Sequence, residues 1–177
     1  MQTLRNLFPN SLKILLTIFV IFTAIEDLAA QTNNNSLDQI ADTFLGKWVG
    51  EVKGPNNEVV TSELIFEWTL NKKFIKVTNL LGQKKSLFAL TFYGRQPVLN
   101  RIVFWSFDNE GTINEGIAEF KDNALKHEWR SFSSNGEIND WRSNLTRHDE
   151  NSATFTIQGE ASYTVRYKRL KEWSFKL

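Results

Sequence analysis

The sequence predicts an all-β protein: one antiparallel up-and-down barrel of about eight to ten strands, with one short helix on its N-terminal side. Three observations lead there. After Gly46 the apolar residues recur with a period of two almost to the end of the chain. Short clusters of Gly, Asn, Asp, Lys and Ser punctuate that pattern and read as tight turns. No second helical segment of useful length lies between them, and parallel pairing needs crossover segments, so the sheet is antiparallel. Ten hairpin-linked strands laid flat leave two exposed edges, which closure removes. A two-sheet sandwich also buries one face of every strand, so alternation alone leaves it as the alternative.

The first thirty residues read as an address rather than as structure. Arg5 and Lys13 precede the apolar run from Ile14 to Ile25, whose only polar residues are two threonines. As a helix that run spans about 18 Å, against roughly 30 Å for a bilayer core. A basic start, a short apolar stretch and then Ala29-Ala30 have the form of a secretory signal peptide over residues 1–30. The alternative is an uncleaved anchor; either way the remainder is exported, secreted or periplasmic. Cleavage after Ala30 leaves no stable membrane span and roughly 147 residues, with the net charge still +1. A chain of about 150 residues buries roughly 68–70% of its unfolded surface, enough for one domain over residues 36–172.

The elements follow in order. Residues 31–35 are polar and read as a disordered N-terminus. Ser36 and Gln39 have capping-box spacing, and Leu37, Ile40, Ala41 and Phe44 recur at helical spacing before Gly46. Strands are expected at 48–53, 59–70, 74–81, 86–93, 101–107, 112–120, 124–132, 138–147, 153–160 and 162–170. In the second, Leu64, Phe66, Trp68 and Leu70 share one face. Gly94 to Pro97 reads as the break that ends the fourth. Asp108-Asn109-Glu110-Gly111 suits a tight hairpin. In the seventh, Leu125, His127, Trp129 and Ser131 face one way and Lys126, Glu128 and Arg130 the other.

Particular motifs resemble known barrels. Gly46-Lys47-Trp48, a glycine and a tryptophan opening the first strand after a short helix, resembles the entry to the calycins, the lipocalins and fatty-acid-binding proteins. Glu67-Trp68-Thr69-Leu70 with Phe74, then Trp105-Ser106-Phe107-Asp108, then Ala153 to Gly159 with Tyr163 to Tyr167, resemble an uncharacterised bacterial family of lipocalin-like barrels. The resemblance covers roughly residues 40 to 170. It implies a ligand-holding barrel and no established chemistry. It also implies an arginine near the C-terminus packed over Trp48, a place that Arg166 or Arg169 can fill.

Composition excludes several function classes. A net charge of +1 gives no general attraction to nucleic acid or anionic membranes, so no nucleic-acid partner is expected. The chain has no cysteine, which removes disulfides, a thiol nucleophile and cysteine-ligated metals. There is no Gly-x-Ser-x-Gly elbow, phosphate loop or HExxH spacing.

The 13% aromatic content carries the functional expectation. Phe66, Trp68, Trp105, Trp129, Trp141 and Tyr163, with His127, fall on alternating apolar faces. Around a barrel lumen they supply large apolar area with polar handles. The expected function is an exported protein holding a small hydrophobic or amphipathic ligand in the lumen. No cofactor is expected; haem ligation through His127 is the one option imidazole offers. One alternative is a barrel enzyme, isomerase or hydrolase, using His127 as a base. Another is a structural or interaction module of the cell envelope, with Trp173 and Phe175 as residues to check. Oligomeric state is not legible.

Overall fold

A computed structural model describes residues 36–53, 58–159 and 162–171. The expected signal peptide at 1–30, the stretch 31–35 expected to be disordered, residues 54–57, and Trp173 with Phe175 lie outside the described residues.

Among the described residues there are one helix and ten strands, and the strands form a closed antiparallel barrel. Helix α1 is Leu37–Phe44. The strands are β1 Gly46–Lys53, β2 Val59–Thr69, β3 Phe74–Leu81, β4 Ser86–Gln96, β5 Arg101–Asp108, β6 Ile113–Lys121, β7 Ala124–Phe132, β8 Ile138–Arg147, β9 Ser152–Gln158 and β10 Tyr163–Arg169. Each strand pairs with its sequence neighbours, and β1 pairs with both β2 and β10. Closure excludes the sandwich.

α1 starts as the sequence requires. The Gln39 amide donates to Ser36 Oγ at 3.3 Å, and the Ser36 amide donates to Gln39 Oε1 at 3.4 Å. Leu37, Ile40, Ala41 and Phe44 form its buried face. Gly46 then takes φ of +111°, a conformation that disfavours side chains, and turns the chain into β1.

One expectation fails at β4. The strand does not break at Gly94 but continues to Gln96, with Gly94 opposite Val103 and Arg95 opposite Ile102. Gly94 is a packing residue: a Cβ there would stand 2.6 Å from the Phe74 ring. The glycine signals a close approach of a ring, not a turn. The turn itself follows at 97–100.

The end of the barrel nearest α1 is filled. Phe44, Trp48, Ile75, Ile102 and Leu125 are fully buried there. Phe44 stacks on Phe66 and meets Trp48 and Phe120 at steeper angles. The Trp48 indole donates to the Phe44 carbonyl at 2.8 Å. Arg169, not Arg166, is the arginine over Trp48, 4.3 Å from the ring centre. Its guanidinium donates to the Leu45 carbonyl at 2.7 Å and the Thr43 carbonyl at 2.6 Å. Carbonyls at a helix C-terminus lack intrahelical donors, and a cation there also meets the negative end of the helix dipole.

On the outer wall Glu63 is almost covered, held at 3.0 Å by both Lys47 and Lys85. Desolvation pushes its carboxyl up, but the two ammonium groups outweigh that and hold it below the usual carboxylate range.

Two stability predictions follow from these contacts. Arg169→Ala removes two charge-assisted bonds and a cation–π contact, and is expected to cost about 2–4 kcal/mol in urea unfolding. Arg169→Lys recovers less than half of this, because an ammonium does not reproduce the planar fork. Glu63 has a depressed folded-state pKa, so its contribution is complete above about pH 4.5 and is lost as pH falls through the folded value. Glu63→Gln is therefore expected to lose about 1–2 kcal/mol at pH 7 and to flatten the fall in stability below pH 4.5, both read from urea midpoints across pH.

Candidate functional site

The half of the barrel away from α1 is hollow. Two adjoining compartments of about 450 Å³ and 410 Å³ occupy it. Eight residues line both, among them Thr91, Tyr93, Asp108, Asn114 and His127. The first is the one with an aliphatic wall, Val52, Val60, Leu64, Val77, Leu81 and Val165, facing rings and polar side chains on its other sides. The second is walled by rings and hydroxyls: Phe104, Trp129, Trp141, Ser131, Ser133 and Ser143.

Strand register explains the split. The inward positions Tyr93, Phe104, Gly116, Trp129 and Trp141 lie opposite one another across β4 to β8. Gly116 is the small member of that row, and a Cβ on it would collide with Trp129 and the Glu128 carbonyl. The missing side chain admits the large one beside it. Trp129 in turn stacks on Trp141 with ring centres 6.4 Å apart.

His127 sits at the base of both compartments and is buried. Its Nε2 lies 2.9 Å from the Tyr93 hydroxyl and its Nδ1 lies 3.0 Å from Ser143 Oγ. The ring also packs edge-on to Phe104 and Trp129. Burial pushes the imidazole down to about 4, against a smaller upward pull from the Ser143 backbone, so it is neutral at pH 7. Burial likewise pushes the Tyr93 phenol well above its usual range, so its proton stays on.

The seven residues expected to line the lumen fall in three places. His127, Trp129, Trp141 and Tyr163 line the compartments, Tyr163 near the open end and half exposed. Phe66 lines the aliphatic one from below. Trp68 belongs to the packed half, against the core cluster. Trp105 is the correction: it is on the outer face and 39% exposed, because its opposite numbers Phe92 and Glu115 also point outward. β5 carries apolar residues on both faces, so its sequence does not say which is inside. Tyr93 was missed for the same reason, since Leu90 and Phe92 make the outer face of β4 apolar too.

The chemistry open to this site is limited. Both nitrogens of His127 already have hydroxyl partners, so metal or haem ligation requires breaking one of those bonds. Among the described residues no group of three or more His, Asp or Glu side chains is placed to hold a metal ion. The hairpin carboxylate Asp108 is engaged, accepting from the backbone amides of Glu110 at 3.0 Å and Thr112 at 2.9 Å.

The His127 environment sets a pH signature. The unfolded chain takes a proton on this ring below about pH 6.5, whereas the folded protein does so only near pH 4. Stability on this account is complete above pH 6.5 and falls across that window, by on the order of 3 kcal/mol. Histidine NMR titration is expected to show one ring titrating near pH 4, and His127→Gln to remove that resonance and that segment of the stability profile. No family model and no curated protein matches this chain.

Proposed function

We propose that this chain is an exported binding protein that holds a small hydrophobic or amphipathic ligand in its barrel lumen. The observation that carries the reading is the hollow half: compartments of about 450 Å³ and 410 Å³ inside a closed barrel whose other half is packed. Ligand sites are characteristically concave, mostly apolar, and fitted with a few convergent polar groups. Binding would draw on apolar burial at about 25 cal/mol per Å², with the hydroxyls fixing orientation. Export rests on the form of residues 1–30, and the lipocalin-like resemblance on the motifs quoted above, with Arg169 over Trp48 as further support.

The enzyme alternative draws on the Tyr93–His127–Ser143 chain. A histidine held near 4 is a weak general base at neutral pH, and its two hydrogen-bond partners are hydroxyls rather than an orienting carboxylate. An interaction module draws on the outer apolar positions of β5, β6 and β8: Trp105, Phe107, Ile113 and Ile138. It predicts self-association in sedimentation.

Nile red, a neutral apolar dye, tests the lumen reading directly. Saturable 1:1 binding with a micromolar dissociation constant, about 8 kcal/mol, is expected. Thr91→Trp places an indole in the space both compartments share and is expected to weaken binding at least tenfold, with thermal melting checked in parallel. Absence of saturable binding by the wild type, or full binding by the filled variant, overturns the reading.

A further inference from the structure

The polar groups of the lumen have a common character. They are Ser62, Asn79, Thr91, Ser106, Asn114, Ser131 and Ser143, with the neutral His127 and the protonated tyrosines. Among the described residues only one cation, Lys53, lines either compartment; it stands at the open rim and is exposed. No other lysine or arginine among the described residues lines either compartment. Two carboxylates line the space as well, Asp108 on both compartments and the exposed Glu58 on the first, and both add negative charge. An anionic headgroup drawn inside would therefore lose its hydration without gaining a counter-charge, which is strongly unfavourable.

The hydrogen-bond chain at the base adds a second constraint. A neutral imidazole has one N–H and one bare nitrogen. If Tyr93 donates to Nε2, then Nδ1–H donates to Ser143, whose own proton is left over. If Nε2–H donates to Tyr93, the Tyr93 proton is left over and Ser143 donates to the ring. In both tautomers one hydroxyl proton is unspent inside the cavity. Tyr93 lines both compartments and Ser143 lines the aromatic one. Both hydroxyls stand on the wall of the space a ligand would occupy, and a donor left over there favours a ligand that accepts from it.

Resting on the lumen reading above, we infer that the ligand is an uncharged amphipathic molecule: an aliphatic portion in the Val52–Val77 compartment, and a hydroxyl or carbonyl oxygen accepting from the Tyr93–His127–Ser143 chain. Long-chain alcohols, acylglycerols and ketones belong to this class; fatty-acid anions and long-chain amines do not.

Displacement of Nile red from the purified protein at pH 8 separates the possibilities, with native mass spectrometry to confirm stoichiometry. The probes are 1-decanol, decanoate, decylamine and 1-decene, matched in chain length. Decanol is expected to compete at concentrations at least tenfold below decanoate and decylamine, and at least fivefold below decene. Asn114→Lys, which puts a cation in the shared wall, is expected to bring decanoate level with decanol. If decanoate or decylamine matches decanol on the wild type, the uncharged-ligand assignment is overturned while the lumen reading stands. If decene matches decanol, the role of the hydroxyl chain is overturned. If Nile red itself does not bind, the lumen reading fails and this inference with it.

Discussion

Everything else in this barrel depends on how β1 meets β10. A barrel made from consecutive hairpins is covalently continuous across every strand pair but that one. The seam runs from Trp48 opposite Arg169 to Gly50 opposite Tyr167, and it is the place where closure has to be held by side chains. Gly50 allows the approach, since a Cβ there would stand 2.7 Å from the Arg166 carbonyl. Arg169 then reaches from the last strand across Trp48 to the final carbonyls of α1. The Tyr167 hydroxyl crosses β1 to Ser62 on β2 at 2.9 Å. In a chain without cysteine these bonds take the part a disulfide plays in many exported domains, tying the two ends of the fold together.

The seam also decides where the barrel is solid. Arg169 and Trp48 pin α1 against one end, and Phe44 carries the aromatic contacts inward to Phe66 and Phe120. The other end has no plug among the described residues, and its inward positions mix Val and Leu with Ser, Thr, Asn, Trp and Tyr. A dry core made of those side chains would leave polar atoms without partners, at a cost of about 1–3 kcal/mol each. A lumen open to water, or to a ligand that bonds in its place, incurs no such cost. His127 marks the boundary: Leu125 below it is fully buried in the packed half, and Trp129 above it faces the cavity.

How much of this could be read from residues alone varied with the strand. The helix was legible because Ser36 and Gln39 cap it and its apolar face has one period. Strand β7 was the legible one, because Lys126, Glu128 and Arg130 alternate with Leu125, His127 and Trp129, so only one face can be inside. His127 and Trp129 followed from that. Strands β4 and β5 were not, because Leu90, Phe92, Val103, Trp105 and Phe107 make their outer faces apolar as well. Alternation identifies a strand but names its inner face only where the other face is polar. Tyr93 and Trp105 were misjudged for that one reason. The pairing of His127 with Tyr93 lay further out of reach, since it joins residues 34 positions apart on strands that are not neighbours. The choice between Arg166 and Arg169 likewise turned on register, which the spacing of residues does not fix.

The two-sided strands bear on function as well. Register places Leu90, Phe107, Ile113, Phe132 and Ile138 in one outward row across five strands. That row and the lumen are both apolar surfaces that water touches, and apolarity does not rank them. Shape and chemistry do. The outer row lies on the convex wall, where a partner must be large and complementary before much water leaves. It is also bordered by ion pairs such as Arg130 with Asp140 and Arg142 with Glu128, which ordinarily keep a surface solvated. The lumen is concave, so even a small molecule is surrounded on several sides and loses most of its contact with water at once. It also presents hydroxyls at a fixed depth, which orient what enters. For a chain of this size and nearly balanced charge, the inside of the barrel is the surface on which a small ligand gains most.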